Sequence, residues 1–296
     1  MTIADHPIKP KIAFLGAGTM GAPMATRLAE AGFALRVWNR TREKAEAIER
    51  VIVADTPAEA AAKADVVITM LADADAVDAA MSGGDGALNA MGDDAIWIQM
   101  STVGLDGVYR LATLAAESEV HFVDAPVLGT RKPAEDGALT ILASGPSELL
   151  QRSQPVFDPL GRVFEGLGEV GQGSRLKLAV NAWVLALTDA TAASLTLAGN
   201  LGLDPSLFLR VIDGTPTDAQ YAQVKGEQML RGEYRPSFAV RGAAKDAKLI
   251  EDACRSSNTD TALIGAIRRH LDAAIDQGHA DDDMAAVFVA HQARQG

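Results

Sequence analysis

At 296 residues the chain is long enough for about two domains, well past the ~40 residues below which a fold needs staples. Its 48% hydrophobic and 22% charged residues are ordinary globular usage, which excludes wholesale disorder. Acidic residues outnumber basic ones 39 to 27, the wrong sign for gripping a phosphate backbone, so no nucleic-acid partner is expected.

Lys11–Leu15 is a short apolar run ending in glycines, a first strand. Met20–Ala31 repeats apolar residues at helical spacing through Met20, Met24 and Leu28, and Gly32 stops it. Ala34–Trp38 reads as a second strand, Arg42–Arg50 as a charged helix, and Asp65–Leu71 as a third strand. Ala95–Met100, His121–Ala125 and Leu139–Ser144 supply three more. Strands alternating with helices predict a parallel sheet covered on both faces. After about Gly171 the texture changes: Leu176–Ala198 is rich in Ala, Leu and Val, with no glycine or proline until Gly199. That predicts one buried helix of roughly 23 residues, about 35 Å long, with Gly199-Asn200 as its stop. Helical patterns follow, broken at Asp204-Pro205, Gly214-Thr215-Pro216, Arg235-Pro236 and Gly278, without β-type alternation. The expected architecture is an α/β domain over residues 1–170 and an all-helical domain over 171–296 that opens with the long helix.

Gly16-Ala17-Gly18-Thr19-Met20-Gly21 matches G-x-G-x-x-G. Alone the pattern is weak, and an ordinary glycine turn is the alternative. Here it closes a strand, opens a helix and lies within a βαβ unit, the setting of a Rossmann dinucleotide site. There the first glycine permits the tight turn, the second lets the pyrophosphate approach, and the third lets helix pack on strand. Free N–H groups at the helix start meet the phosphates. At the end of the second strand an NAD site usually carries an acid for the ribose 2′-OH. This chain has Asn39-Arg40-Thr41. Asn39 lacks the charge that repels a phosphate, and Arg40 can bind one with its planar fork. NADP(H) is therefore expected over NAD(H), with a solvated surface arginine as the alternative and Arg42 as a second positive charge.

Leu71-Ala72 and Gln99-Met100-Ser101-Thr102 follow strands, where the carboxyl ends of an open sheet hold ligands. So does Asp124–Gly137, too polar and turn-rich to be core. Gly171–Asn181 opens the long helix, with Lys177 and Asn181 four apart on one face. A lysine among Leu176, Leu178, Ala179 and Val180 either snorkels at an edge or is held in a cleft for use.

These segments, in this order and spacing, resemble the β-hydroxyacid dehydrogenase family over nearly the whole chain. The family's fingerprint loop matches Gly16–Gly21, its Ser-Thr loop Ser101-Thr102, and its Asp-Ala-Pro-Val loop Asp124–Val127. Its catalytic-helix motif matches Lys177 and Asn181, its Lys-Asp pair Lys245-Asp246, and its Gly-x-x-x-x-Asp segment Gly278 to Asp283. Lys132–Gly137 is most similar to the glyoxylate/succinic semialdehyde reductase branch. The resemblance implies hydride transfer between a nicotinamide and a hydroxyacid or its semialdehyde. Lys177 would be the general acid or base and Asn181 would orient the substrate or the lysine. Thr102 would sit between cofactor and substrate, Lys245 would close over the nicotinamide, and Phe238 and Asp246 would complete the substrate cleft. A homodimer or homotetramer built on the long helix is implied as well. One departure stands out. After Pro-Val the family normally has Ser-Gly-Gly or Ser-Gly-Ser, whereas this chain has Leu128-Gly129-Thr130. Thr130 keeps a hydroxyl for a substrate carboxylate, but Leu128 cannot donate.

Lys177 argues against the similar imine reductases, which typically carry Asp or Tyr there. It also argues against a non-catalytic nucleotide-binding scaffold, whose known examples lose the lysine. A 6-phosphogluconate dehydrogenase is disfavoured because its Lys-x-x-His-Asn pattern is absent. The single cysteine, Cys254, excludes an internal disulfide, and the five histidines show no metal-ligand spacing, so no metal is expected. No uninterrupted apolar run reaches the ~18 residues of a membrane span. Met1–His6 has no basic stretch leading into an apolar one. A soluble cytoplasmic enzyme is the expectation.

Overall fold

The computed structural model describes residues 9–292; Met1–His6, read above for an export signal, lies outside them. It divides into two compact units, Met1–Lys177 and Leu178–Gly296.

The first unit begins with β1 (Ile12–Leu15), α1 (Gly21–Glu30), β2 (Leu35–Trp38), α2 (Arg42–Glu46) and β3 (Ile52–Val53). It continues through α3 (Pro57–Ala61), β4 (Val66–Thr69), α4 (Ala74–Met81), β5 (Ile96–Gln99), α5 (Gly104–Glu117) and β6 (His121–Asp124). These six strands form one parallel sheet in the order β3-β2-β1-β4-β5-β6. β1, β4 and β5 are buried at every position, as strands with both faces covered must be. Alternate residues feed two cores. Ile12, Phe14 and Ile68 pack with Met24 and Leu28 of α1. Leu15, Val67 and Trp97 face the other way, against Val77, Met81, Val108 and Leu111 of α4 and α5. Trp97 is fully buried, and its indole N–H finds the Thr69 hydroxyl at 3.0 Å.

Past β6 the chain departs from the expected single sheet. β7 (Val127–Leu128), α6 (Arg131–Asp136), β8 (Leu139–Ile141), α7 (Ser147–Phe157) and β9 (Gly161–Val163) build a separate three-stranded sheet. In it β8 runs antiparallel to β7 and parallel to β9. The strand expected at Leu139–Ser144 is present but belongs here, because its nearest partner is the short segment that follows Pro126. β3, β7 and β9 have two or three residues each, too few to show a period.

α8 (Gln172–Asn200) spans 29 residues and carries the division between the units within it. It starts four residues before the expected Leu176 because polar groups hold its first turn, and it ends at Asn200, within the expected Gly199-Asn200 stop. Leu203 N–H bonds Ala198 C=O at 3.0 Å and Gly202 N–H bonds Gly199 C=O at 2.9 Å, with Gly202 at φ +79°. That paired arrangement needs a left-handed residue, and Gly202 supplies it. Among the described helices α8 alone is long and apolar enough to match a membrane span by composition. Part of it is buried: Ser174, Lys177, Leu178, Asn181, Leu185, Thr188, Ala192 and Leu195 form a stripe at helical spacing. α9 (Ser206–Ile212), α10 (Gln220–Arg231), α11 (Val240–Ser256), α12 (Ala262–Asp276) and α13 (Phe288–Gln292) complete the second unit, which has no strand among the described residues.

Candidate active site

The glycine loop joins β1 to α1. Gly16 has φ +115°, and a Cβ there would fall 2.3 Å from Met70 O and 2.9 Å from Leu71 Cδ2. A Cβ on Gly21 would lie 1.9 Å from Gly16 O, so the third glycine lets α1 pack back on the loop. At Gly18 a Cβ would meet nothing within 4 Å. Gly18 and Thr19 are exposed and Met20 half-buried. Open space over the second glycine, at the start of a helix, fits an approaching pyrophosphate.

Asn39 braces this loop: its Oδ1 accepts Ala17 N–H at 2.9 Å, and its amide donates to Thr41 C=O at 2.7 Å. Arg40 and Thr41 are exposed at the end of β2. Arg42 was expected to add charge to the site, but its guanidinium pairs with Glu46 at 2.7 Å and with Asp55. Ser101 is fully buried; its hydroxyl accepts Leu71 N–H at 2.8 Å and donates to Thr69 C=O at 3.3 Å. It ties the end of β4 to the end of β5, so its hydroxyl is engaged within the chain. Thr102 beside it is half-buried, and Ala72 is exposed.

Asp124, wholly buried at the end of β6, is a junction the residue pattern did not reveal. Its Oδ2 accepts Ser174 N–H at 2.9 Å and its Oδ1 accepts the Ser174 hydroxyl at 2.8 Å. Ser144 Oγ donates to it and accepts Gly173 N–H at 3.0 Å. Together these groups hold the first turn of α8, one turn ahead of Lys177. Burial pushes the Asp124 carboxyl up to about 6, against hydrogen bonds from Ser174, Ser144 and Gly171 that pull it down. Leu128 is half-buried on β7, Gly129 exposed, and Thr130 half-buried before α6 without capping it.

On α8, Lys177 is 9% exposed and Asn181 5%. The lysine lies inside the protein and does not run out along the surface. Asn181 donates its amide to Asp246 Oδ2 at 2.6 Å. The other carboxylate oxygen, Oδ1, is buried without a hydrogen bond, although the Lys245 ammonium stands 3.0 Å away at ion-pair distance. Thus the helical unit gathers Asn181, Lys245 and Asp246. Phe238, half-buried, sits before α11 and would press on a Cβ at Gly242 at 3.0 Å.

What holds Phe238 is a buried pair with one half outside every motif. Lys225 of α10 reaches Asp283 Oδ1 at 2.5 Å, with side-chain exposures of 2% and 0%. Asp283 Oδ2 takes Ser237 N–H, the Ser237 hydroxyl and Phe238 N–H. Burial raises the Asp283 carboxyl, but the Lys225 ammonium and these hydrogen bonds outweigh it and hold it below the usual range. Asp283 ends the Gly278 segment; Lys225, 58 positions earlier, carried no signal beyond a place on an amphipathic helix.

A family model described as the NAD binding domain of 6-phosphogluconate dehydrogenase matches residues 11–191. A second, described as the NAD-binding of NADP-dependent 3-hydroxyisobutyrate dehydrogenase, matches residues 171–290. The uncharacterized oxidoreductase YfjR of Bacillus subtilis is 34% identical over 94% of this chain and 98% of its own. Glyoxylate/succinic semialdehyde reductase 2, chloroplastic, of Arabidopsis thaliana is 31% identical over 95% of this chain and 79% of its own. The solved structure of Mycobacterium tuberculosis 3-hydroxyisobutyrate dehydrogenase with L-serine has a TM-score of 0.85 at 28% identity, covering 97% of this chain and 100% of that one. With a glycine loop open to a pyrophosphate, a buried lysine on the long helix, and family models matching residues 11–191 and 171–290, the chain belongs to the β-hydroxyacid dehydrogenase family of NAD(P)-dependent oxidoreductases.

Proposed function

We propose that this chain is an NADP(H)-dependent reductase that interconverts a small hydroxyacid and its semialdehyde or oxoacid. The observation that carries the reading is Lys177, buried one turn from an asparagine that is itself anchored by Asp246. A nicotinamide held by this chain would supply or accept the hydride at the carbon that bears oxygen. Hydride arrival leaves charge on that oxygen, and the Lys177 ammonium, already desolvated, gives it a proton. In the reverse direction the neutral amine takes the proton back. Asn181, held by Asp246, offers a fixed amide to orient substrate or lysine. Gly16–Gly21, Leu71, Ala72 and Thr102 would hold the cofactor, and Lys245 would be a further cofactor contact. Support for the substrate class comes from the Arabidopsis relative named a glyoxylate/succinic semialdehyde reductase.

Preference for NADP(H) rests on two features: no acid stands at the end of β2, and Arg40 is exposed there while Arg42 is paired elsewhere. Leu128 and Thr130 would be substrate contacts of the first unit, and Phe238 and Asp246 substrate contacts of the second. We also propose that the protein works as a homo-oligomer. An apolar groove of about 750 Å³ between the end of α8 and α9 is lined by Leu197, Leu201, Leu203, Leu207 and Val211, each at least 40% exposed. A contiguous patch of that kind marks an association surface, and a second copy is the occupant the family implies.

The test is turnover of NADPH with glyoxylate, succinic semialdehyde, methylmalonate semialdehyde and tartronate semialdehyde. Lys177→Ala should lower kcat by roughly 10²–10⁴, the usual contribution of a positioned acid, and leave cofactor affinity nearly unchanged. Near-normal turnover in that variant would refute the assignment.

A further inference from the structure

Three helices of the second unit bring Asp189 of α8, His270 of α12 and His291 of α13 together. His270 Nδ1 and His291 Nε2 each lie 2.9 Å from the same oxygen, Asp189 Oδ1. The three atoms all fall within 4.8 Å of one another, and the two rings stand 4.3 Å apart, tilted by 59°. None of these residues belongs to a motif of the family fold or to the reaction described above. They stand 81 and 102 positions apart in the chain, so no local ligand spacing could announce them; only helix packing assembles the set.

We propose that Asp189, His270 and His291 form a site for one divalent transition cation, zinc or a close neighbour, that fastens α13 to α8 and α12. Two imidazoles and a carboxylate are the donor set that such ions take, with further positions left for water. Bond lengths of about 2.0–2.2 Å place tetrahedral ligand atoms ~3.3 Å apart. The two observed nitrogen–oxygen separations of 2.9 Å therefore need to open by only a few tenths of an ångström. The nitrogen–nitrogen separation, within 4.8 Å, has to close as well, by rotation of a ring. Without a cation, both rings must turn an N–H toward one oxygen. With a cation, the same nitrogens present lone pairs, and the opposite ring nitrogens carry the protons. Side-chain exposures of 29% for His270, 12% for His291 and 14% for Asp189 leave a route in for a hydrated ion while shielding the bonds. The role is structural and independent of the reductase reading.

The experiment uses the full chain without an affinity tag, dialysed to equilibrium against zinc at neutral pH. Expected is one zinc per chain, lost in His270→Ala and again in His291→Ala, with thermal unfolding raised by zinc in the parent protein alone. Cobalt on the parent protein needs no variant: it should give the visible bands of a nitrogen–oxygen site and lack the thiolate band that Cys254 would contribute. The absence of saturable binding would mean that the three residues are a hydrogen-bonded clasp alone and would overturn the proposal. Binding undiminished in both variants, or a thiolate band, would place the metal elsewhere and overturn it too.

Discussion

At the scale of single residues, the proposed cofactor preference and substrate class rest on side chains that can be changed one at a time. Arg40 stands exposed at the end of β2, and a charge-assisted contact to the 2′-phosphate contributes about 1.5–3 kcal/mol. Arg40→Ala should therefore weaken NADPH roughly tenfold or more and barely move NADH in a fluorescence titration; equal losses for both would assign the arginine another task. Leu128, half-buried beside Thr130, trades a hydroxyl for apolar surface of comparable worth, about 1.5–3 kcal/mol. Leu128→Ser should move the ratio of kcat/KM values toward glyoxylate and away from a longer semialdehyde by about 10- to 100-fold. An unchanged ratio would take Leu128 off the substrate. Some of this was legible in the residue order. Glycines at 16 and 21 declare backbone needs that no other residue meets. Ser101 was not legible, because a hydroxyl after a strand can turn outward to a ligand or inward to a neighbouring strand, and here it bonds Leu71 and Thr69.

At the scale of elements, the start of α8 is an electrostatic joint. Asp124 receives the N–H and hydroxyl of Ser174, so it acts as a helix cap supplied from a distant strand. Its carboxyl, raised to about 6 by burial, binds a proton more tightly folded than unfolded, where aspartate titrates near 3.9. The stability this group contributes is therefore full below pH ~3.9 and lost as pH rises through about 6, roughly 2–3 kcal/mol between pH 4 and 7. Urea unfolding of the parent and Asp124→Asn across that range should show the difference between them changing by this amount; parallel curves would contradict it. The longer strands and α8 were legible because apolar runs state burial directly. β7 and β9 were not, since two- and three-residue strands take their identity from a neighbour. The first turn of α8, Gln172–Arg175, lay outside the apolar run for the same reason: its stabilising partners lie on β6 and after β8.

At the scale of the whole molecule, an acidic chain of formal charge −12 repels its own copies, so the proposed association would have to rest on apolar surface. Leu201 at 69% and Val211 at 71% exposure are the most open members of the groove between α8 and α9. Replacing both by glutamate should shift sedimentation toward the monomer, with association weakened about tenfold for each 1.4 kcal/mol of lost burial. An unaltered oligomer would move the interface elsewhere. The unbroken run of α8 from Gln172 to Asn200, across the division at Lys177, sets a further constraint of phase. One residue of helix is about 100° of rotation. A single insertion between Lys177 and Asn181 would leave both side chains present in the chain, yet turn one a quarter-circle and more about the helix axis relative to the other. The count of residues between Lys177 and Asn181 therefore matters as much as their identity, because it fixes the angle between the two side chains.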